Sequence, residues 1–437
     1  MRNVVLITID SLRADHCSFH GYHRNTTPTL DRMAEEGLAF ENAIAPGPST
    51  PESMPAVMTS SYPVDTGESH ASLLAKRRTV IRRHMKTRET LAERFRKQGY
   101  ATAGFSPNPY TSRYFGFDVG FDRYEDFIEG SRETLYNGML GGFIEGTPLD
   151  TLFPARFALN LINKEEVFKP WENFYKNIVE WTKSSEKPYF LWVLLMDTHD
   201  PYLAPAAYRT QSRLATYQAN WRLWRTGHAG PFDSETLTNL ICAYDDTITY
   251  ADAFLNRLRT DLQGDNPLIA VHGDHGEAFG EHGSYGHHPR LYEENVHVPL
   301  VVGGTPTETV SAPFSLRSMP DLLAKLALGD EPSLGLMPAI SYTSDGEMWA
   351  LHGSDWKYLY TDISADSGES TPPTRTSPRN EHGTLYHLTG DPEDETNVLY
   401  DQYREACCRL VANYTEANHE RNRLALAAQT VVQEGRT

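Results

Sequence analysis

Residues 3–9, NVVLITI, form an unbroken β-branched run with no polar face, the pattern of a strand buried on both sides. The segment TPTLDRMAEEG then changes to helical spacing, with Thr-Pro suited to a first turn and Gly37 as a stop. ETLAERFRKQ at 89–98 is amphipathic and gives way at Gly99 to a strand, YATAGF; PYFLWVLLM at 188–196 predicts another buried strand. Residues 235–262 predict one long helix, PLIAVHG at 267–273 and HVPLVVGG at 297–304 two strands, and LRSMPDLLAKLAL at 316–328 a further helix. Strands alternating with helices imply an α/β fold, its mostly parallel sheet covered by helices on both faces.

From about residue 335 the texture changes. SDGEMWALHGSDWKYLYT and GTLYHLTGDPEDETN alternate like antiparallel strands, a polar, Pro-rich loop at 364–381 separates them, and 401–431 returns to helical spacing. The expected division is a main domain over 1–334 and a smaller C-terminal α+β subdomain over 335–437. The aromatic-rich stretch 111–187 has no clear period and is read as an insertion that shapes a substrate pocket.

Composition excludes more than it identifies. With 39% hydrophobic and 11% aromatic residues, the 437-residue chain is an ordinary globular one, without repeats or low-complexity tracts. No apolar run approaches the roughly 18 residues of a membrane span. Met1-Arg2-Asn3 leads directly into the first strand with no secretory leader; taken as a native start, this predicts a cytoplasmic protein. A formal charge of −18 argues against a nucleic-acid surface, which needs clustered Lys and Arg. Cys17, Cys242, Cys407 and Cys408 show no CxxC spacing, and adjacent cysteines are poorly placed to pair with each other. They read as buried filler, or as thiols in a reducing compartment.

Chemistry gathers where strands end. Asp10 closes ITID, Asp197, His199 and Asp200 follow LLM, and Asp274, His275, Glu277, Glu281 and His282 sit among glycines in GDHGEAFGEHG. In parallel sheets the carboxyl ends of strands are where ligands bind. Carboxylates with imidazole form a set suited to Ca, Mg, Mn or Zn, and glycines let backbone and ligand approach closely. GHHPRLYEE adds His287, His288 and Arg290, cationic or hydrogen-bonding groups for a tetrahedral anion. NAIAPGPSTPESMPAVMT at 42–59 places Ser49 and Thr50 on the approach to a helix. Either hydroxyl suits a helix cap, and either suits a nucleophile facing an anion at the helix N-terminus.

Taken together, these segments resemble the sulfatases, within the alkaline phosphatase superfamily. The likeness runs through NVVLITIDSLRADHCSFHGY, TPTLDRMAEEGLAFENAIA, the YP at 62–63, GFDVGFDRYEDF, THDPY, HGDHGEAFGEHG, LYEENVHVPLVV and LYHLTGDPEDETN. The resemblance implies an alkaline-phosphatase-like sheet with one divalent metal on Asp10, Asp274 and His275, and Thr50 completing that set. It places His199 and His288 against the substrate anion or its leaving group, His288 standing four residues before Tyr292 where sulfatases commonly carry a lysine. Counting back nine residues from Thr59, it selects Thr50 over Ser49 as nucleophile.

The departures are chemical. Sulfatases carry a Cys or Ser that becomes formylglycine; a threonine has no route to that aldehyde, and Met54 stands where the supporting Arg belongs. Ser11 replaces a further metal-binding Asp, and in SPNPY Asn108 resembles the oxyanion-contacting Asn of phosphodiesterase relatives. Threonine nucleophiles belong to the phosphatases, nucleotide phosphodiesterases and phosphoglycerol transferases of the superfamily. The expectation is a metal-dependent hydrolase of a phosphate or sulfate ester, phosphoester favoured, with Asn108, His199, His288 and Arg290 binding a small-molecule, glycan-derived or lipid-derived anionic ester. A phospho-group transferase and a non-catalytic binding protein of the same fold are the alternatives.

Overall fold

A computed structural model describes residues 1–64, 73–127, 169–185, 188–334, 338–343, 348–361, 383–388 and 401–434. The strands of the main body, in chain order, begin with β1 (Val4–Ile9), β2 (Leu38–Ile44), β3 (Ala101–Phe105), β4 (Arg123–Glu125), β5 (Tyr189–Leu195) and β6 (Leu268–Gly273). A short hairpin follows, β7 (Ala278–Phe279) with β8 (Tyr285–Gly286), and then β9 (His297–Gly303), β10 (Glu308–Val310) and β11 (Phe314–Ser315). Across the large sheet the order is β10-β2-β9-β6-β1-β5-β3-β4, with β11 alongside β2.

β1 lies in the middle of this sheet, and its unbroken apolar run follows from that position. Val4 and Leu6 enter one core with Phe190 and Trp192. Val5, Ile7 and Ile9 enter the opposite core with Leu191 and Val193. Successive side chains point to opposite faces, so a strand covered on both sides must be apolar throughout. Each such side chain contributes about 1.5–3 kcal/mol by leaving water. β1 pairs parallel with β5 and β6, β5 with β3, and β3 with β4; β9 runs antiparallel to both β6 and β2. Register aligns Ile9 with both Leu195 and Gly273, so three neighbouring strands end at one level and the residues after them share one shelf.

Local signals set the helices. Asp233 caps the long helix Ser234–Leu262 by accepting from the Thr236 amide at 2.9 Å. A capping box of Thr90 and Glu93 opens Leu91–Lys97. Among the described residues no helix is long and apolar enough to cross a membrane. The four cysteines are free.

Past the main sheet, β12 (Ala339–Tyr342), β13 (Met348–His352), β14 (Trp356–Thr361) and β15 (Gly383–His387) form an antiparallel sheet in that order, followed by the helix Asp401–Glu434. The loop 364–381 and most of 111–187 lie outside the described residues. The described ends of 111–187 are parts of the main body: β4 joins the sheet beside β3, and helix Glu172–Ser184 buries Phe174 and Ile178 in its core.

Lys357 on β14 joins the small sheet to the main body by an ion pair of 2.7 Å with Glu293, a few residues past the segment 284–290 that carries β8, His287 and His288. Burial works against the Glu293 carboxylate, but Lys357, His352 and His297 outweigh it and hold the group down to about 2. Lys357 is only 4% exposed and Glu293 30%, so breaking the pair costs less than in a wholly buried one. Lys357→Met is expected to lower stability by about 2 kcal/mol at neutral pH. The pair's contribution is present above the ordinary carboxylate range and disappears as pH falls from 4.5 toward 2. Denaturant melts at pH 7 and pH 3 should therefore show a smaller difference for the variant than for the parent.

Candidate active site

Asp10 is the first residue past β1 and is wholly buried. The chain then turns sharply through Ser11, whose φ of +56° is a left-handed conformation costly for a non-glycine residue, about 1–3 kcal/mol. The surroundings hold it there. The Tyr244 hydroxyl donates to the Ser11 carbonyl at 2.6 Å, the Ser11 amide donates to Asp274 Oδ1 at 3.2 Å, and its hydroxyl donates to Asp10 Oδ1 at 3.0 Å.

Asp274 and His275 follow β6 in a loop pressed against backbone. A Cβ on Gly276 would lie 2.0 Å from the Glu294 carbonyl, and only glycine permits that approach. His275 Nδ1 donates to the Gly276 carbonyl at 2.8 Å. Its Nε2 is thereby turned toward Asp10 Oδ1 at 3.5 Å and Asp274 Oδ1 at 3.8 Å.

Thr50 begins the helix Thr50–Thr59, and its hydroxyl lies 3.3 Å from Asp10 Oδ2 and 3.4 Å from His275 Nε2. Asn108, past the end of β3, donates from Nδ2 to Asp10 Oδ2 at 2.6 Å and to Thr50 Oγ1 at 3.2 Å. Ser49 occupies the cap position, but its hydroxyl donates to Glu52 Oε2 at 2.9 Å and caps no backbone amide. The two adjacent hydroxyls therefore point to different partners.

This donor set fits a divalent cation. Asp10, Asp274 and His275 present ligand atoms within 4.8 Å of one another, all buried. Asp274 Oδ2 is buried with no hydrogen-bond partner. Burial and the neighbouring charge of Asp10 push the Asp274 carboxyl up to about 6, against the pull of His275. Two buried carboxylates facing one imidazole are short of positive charge, and a cation supplies it.

A second group lies beside the first. His199 Nδ1 contacts the Asp200 carbonyl at 2.8 Å and Asp200 Oδ1 at 3.1 Å, while His228 Nε2 lies 3.1 Å from Asp200 Oδ2. Burial disfavours the His199 imidazolium, but Asp200, Asp10 and Glu277 outweigh it and raise the ring to about 10. His287 sits between the two groups, its ring centre 4.9 Å from that of His199 and 5.0 Å from that of His275. Its Nδ1 faces the wholly buried Glu277 at 3.3 Å.

The structure thus brings Asp10, Thr50, Asn108, Asp274 and His275 into one cluster, with His199 beside it. It does not bring in His288 and Arg290, which are exposed. The His288 ring instead neighbours His228, 6.3 Å away. Counting back from Tyr292 selects His288, but the chain bends after Gly286, and His287 is the one turned inward. His228 carried no motif; its one signal was the Gly-His-Ala-Gly-Pro punctuation of a tight loop.

The Sulfatase family model matches residues 2–318. The chain belongs to the sulfatase family. It is 24% identical over 378 residues to a sulfatase of Formosa agariphila, covering 74% of this chain and 69% of that one. It is also 24% identical to human iduronate 2-sulfatase, covering 71% of this chain but 61% of the human one. An N-acetylgalactosamine-6-O-sulfatase of Bacteroides thetaiotaomicron is 22% identical, with 91% and 89% covered. Among solved structures, the phosphonate monoester hydrolase of Agrobacterium radiobacter superposes with a TM-score of 0.61 at 18% identity, covering 96% of each chain. An alkaline phosphatase superfamily protein from Vibrio parahaemolyticus gives 0.57 at 16%, covering 96% and 88%. The fold is alkaline-phosphatase-like, and the family makes the protein a hydrolase of sulfate or phosphate esters.

Removing one carboxylate should have opposite effects with and without metal. Asp274→Asn relieves like-charge repulsion, so the metal-free variant should melt above the metal-free parent. With a divalent cation added the order should reverse, and elemental analysis should find bound metal reduced by at least roughly tenfold. Full metal occupancy in the variant would rule out Asp274 as a ligand.

Proposed function

We propose that this sulfatase-family chain is a metal-dependent hydrolase whose nucleophile is Thr50, acting on an anionic ester for which phosphorus is the favoured centre. The observation that carries the reading is the position of Thr50 Oγ1, at a helix N-terminus and within 3.4 Å of Asp10, His275 and Asn108. A bound divalent cation would be held by Asp10, Asp274 and His275, completed by Thr50, and would stabilise the threonine alkoxide and the charge on the substrate's oxygens.

The chain's own groups account for the rest. Thr50 Oγ1 passes its proton to Asp10 Oδ2, 3.3 Å away, as its bond to phosphorus forms. The ester bond opposite breaks, and the leaving oxygen takes a proton from His199, which stays charged at neutral pH. Asn108, whose Nδ2 lies 3.2 Å from Thr50 Oγ1, donates to a substrate oxygen in the transition state. Water then attacks the phosphothreonine and yields its proton to His199, while Thr50 regains its own from Asp10. Ester and water become acid and alcohol, with all groups restored. The helix N-terminus favours the anion by about 0.3–1 kcal/mol, too little to ionise an alcohol unaided.

Threonine supports phosphoester over sulfate ester because it dispenses with the formylglycine on which sulfatases depend. The sulfated sugars in the names of its relatives support a glycan-derived substrate, and a lipid-derived or other small anionic ester fits the same chemistry. Thr50→Ala should lower kcat by at least roughly 10³-fold while metal content is unchanged. Ser49→Ala should stay within about threefold in kcat and lose about 1 kcal/mol of stability with its bond to Glu52. Aryl phosphates and phosphonates should turn over faster than aryl sulfates, and acid quenching should trap the adduct on Thr50. An adduct on Ser49, or faster sulfate turnover, would overturn the respective assignment. A phosphoryl group appearing on added alcohol in preference to water would identify a transferase.

A further inference from the structure

We infer that His228 is a positioning residue for the leaving-group proton donor His199, acting through Asp200. The inference rests on the role proposed above for His199. Asp200 is a buried carboxylate shared by two imidazoles: Oδ1 lies 3.1 Å from His199 Nδ1 and Oδ2 lies 3.1 Å from His228 Nε2. A carboxylate held at one oxygen can rotate about its last bond; held at both, it is fixed. His199 turns its Nδ1 to Asp200, 2.8 Å from the backbone carbonyl and 3.1 Å from Oδ1. The carbonyl directs that edge of the ring and the carboxylate is its charge partner, so presentation of the other nitrogen to substrate depends on both staying in place.

The loop bearing His228 is shaped for this contact. It follows the helix Arg213–Arg225 and brings His228 into a left-handed conformation, φ +62°, that a non-glycine residue adopts only when held. The His228 amide donates to the Leu223 carbonyl at 3.0 Å. Gly230 lies flat on Tyr285, where a Cβ would stand 2.1 Å from the ring. A Cβ on Gly286 would stand 3.1 Å from His228 Cδ2 and 3.3 Å from Glu277 Oε1, so glycine there leaves room for the imidazole. The hairpin leading into the 284–290 loop thus holds His228 from one side and Asp200 receives it on the other.

Another use of the same side chains is a second cation on His199, Asp200 and His287, whose ligand atoms also lie within 4.8 Å of one another. The geometry favours positioning, because both Asp200 oxygens already face imidazole nitrogens.

The test compares His228→Gly, which keeps the left-handed backbone, with His228→Gln, whose amide can still reach Asp200. His199→Ala and the double variant His199→Ala/His228→Gly complete the set. Each metal-loaded full-length enzyme is assayed on 4-nitrophenyl and phenyl esters of whichever acid the parent turns over. The phenyl leaving group needs the proton more. His228→Gly should lose roughly 10–100-fold in kcat on the phenyl ester and less than about threefold on the nitrophenyl ester. His228→Gln should recover most of the loss, and the double variant should be no worse than His199→Ala. Equal losses on both esters, full additivity in the double variant, or a bound metal ion lost with His228 would overturn the inference. If His199→Ala shows the leaving-group dependence and His228→Gly does not, this inference alone fails. If His199→Ala shows no such dependence, the proton-donor role fails and this inference with it.

Discussion

Asp10 and Asp274 place two carboxylates in one buried space, and much of the molecule serves to keep them there. An unpaired buried charge costs several kcal/mol, so such a pair survives only if the fold enforces it. Enforcement begins with register: Ile9 and Gly273 are partners in adjacent parallel strands, so the next residue on each strand enters the same shelf. Because β1 is central and apolar on both faces, sliding it would expose two cores at once. The carboxylates are thus fixed by hydrophobic packing that neither takes part in.

Around that pair the polar groups form successive layers, each oriented by the next. His275 is turned by the Gly276 carbonyl, His287 faces Glu277, and His199 faces Asp200. Farther out, Arg13 donates to the Glu277 carbonyl at 2.8 Å and pairs with Asp15 and Glu281, tying the 274–283 loop to the segment that follows β1. The two segments that supply the proposed metal ligands are therefore cross-linked twice, by strand pairing behind the site and by a buried guanidinium beside it.

What could be read from sequence tracks which residues have a single job. β1, β5 and β6 were legible because buried strands need only be apolar, and the helix at 234–262 because its stripe is long. β2 escaped notice: Glu41 and Asn42 interrupt it at a point where its register with β9 shifts between Phe40 and Ala43. The helices Leu73–Thr87 and Arg213–Arg225 are too rich in Arg to show their apolar sides plainly. At the site, Asp10, Asp274, His275 and Thr50 were visible from strand ends and from the likeness to sulfatases. His287 was read only as one of three groups in GHHPRLYEE, with His288 preferred, and His228 was not read at all, because their proximity to His199 and Asp200 arises from loop backbone, where no period operates.

The exchanges at 50, 54 and 108 make chemical sense as a set. Met54, on the helix Thr50–Thr59, is wholly buried in the core, at the place where the resemblance to sulfatases would put a supporting Arg. A guanidinium there would need its own counter-charge in an apolar setting, at a cost that packing alone would not offset. If Thr50 is the nucleophile, as proposed, there is no formylglycine to generate and hold, the demand for that cation falls away, and a thioether fills the volume. A threonine acting in the proposed way would require instead a donor that leaves the local charge unchanged, since two carboxylates already set how much positive charge the site must hold. Asn108 meets that need. It is neutral, its Nδ2 reaches both Asp10 Oδ2 and Thr50 Oγ1, and its Oδ1 is anchored by the Tyr110 amide at 2.8 Å. A lysine or arginine in its place would compete with a divalent cation for the same carboxylates, whereas an amide orders them and leaves their charge for the metal.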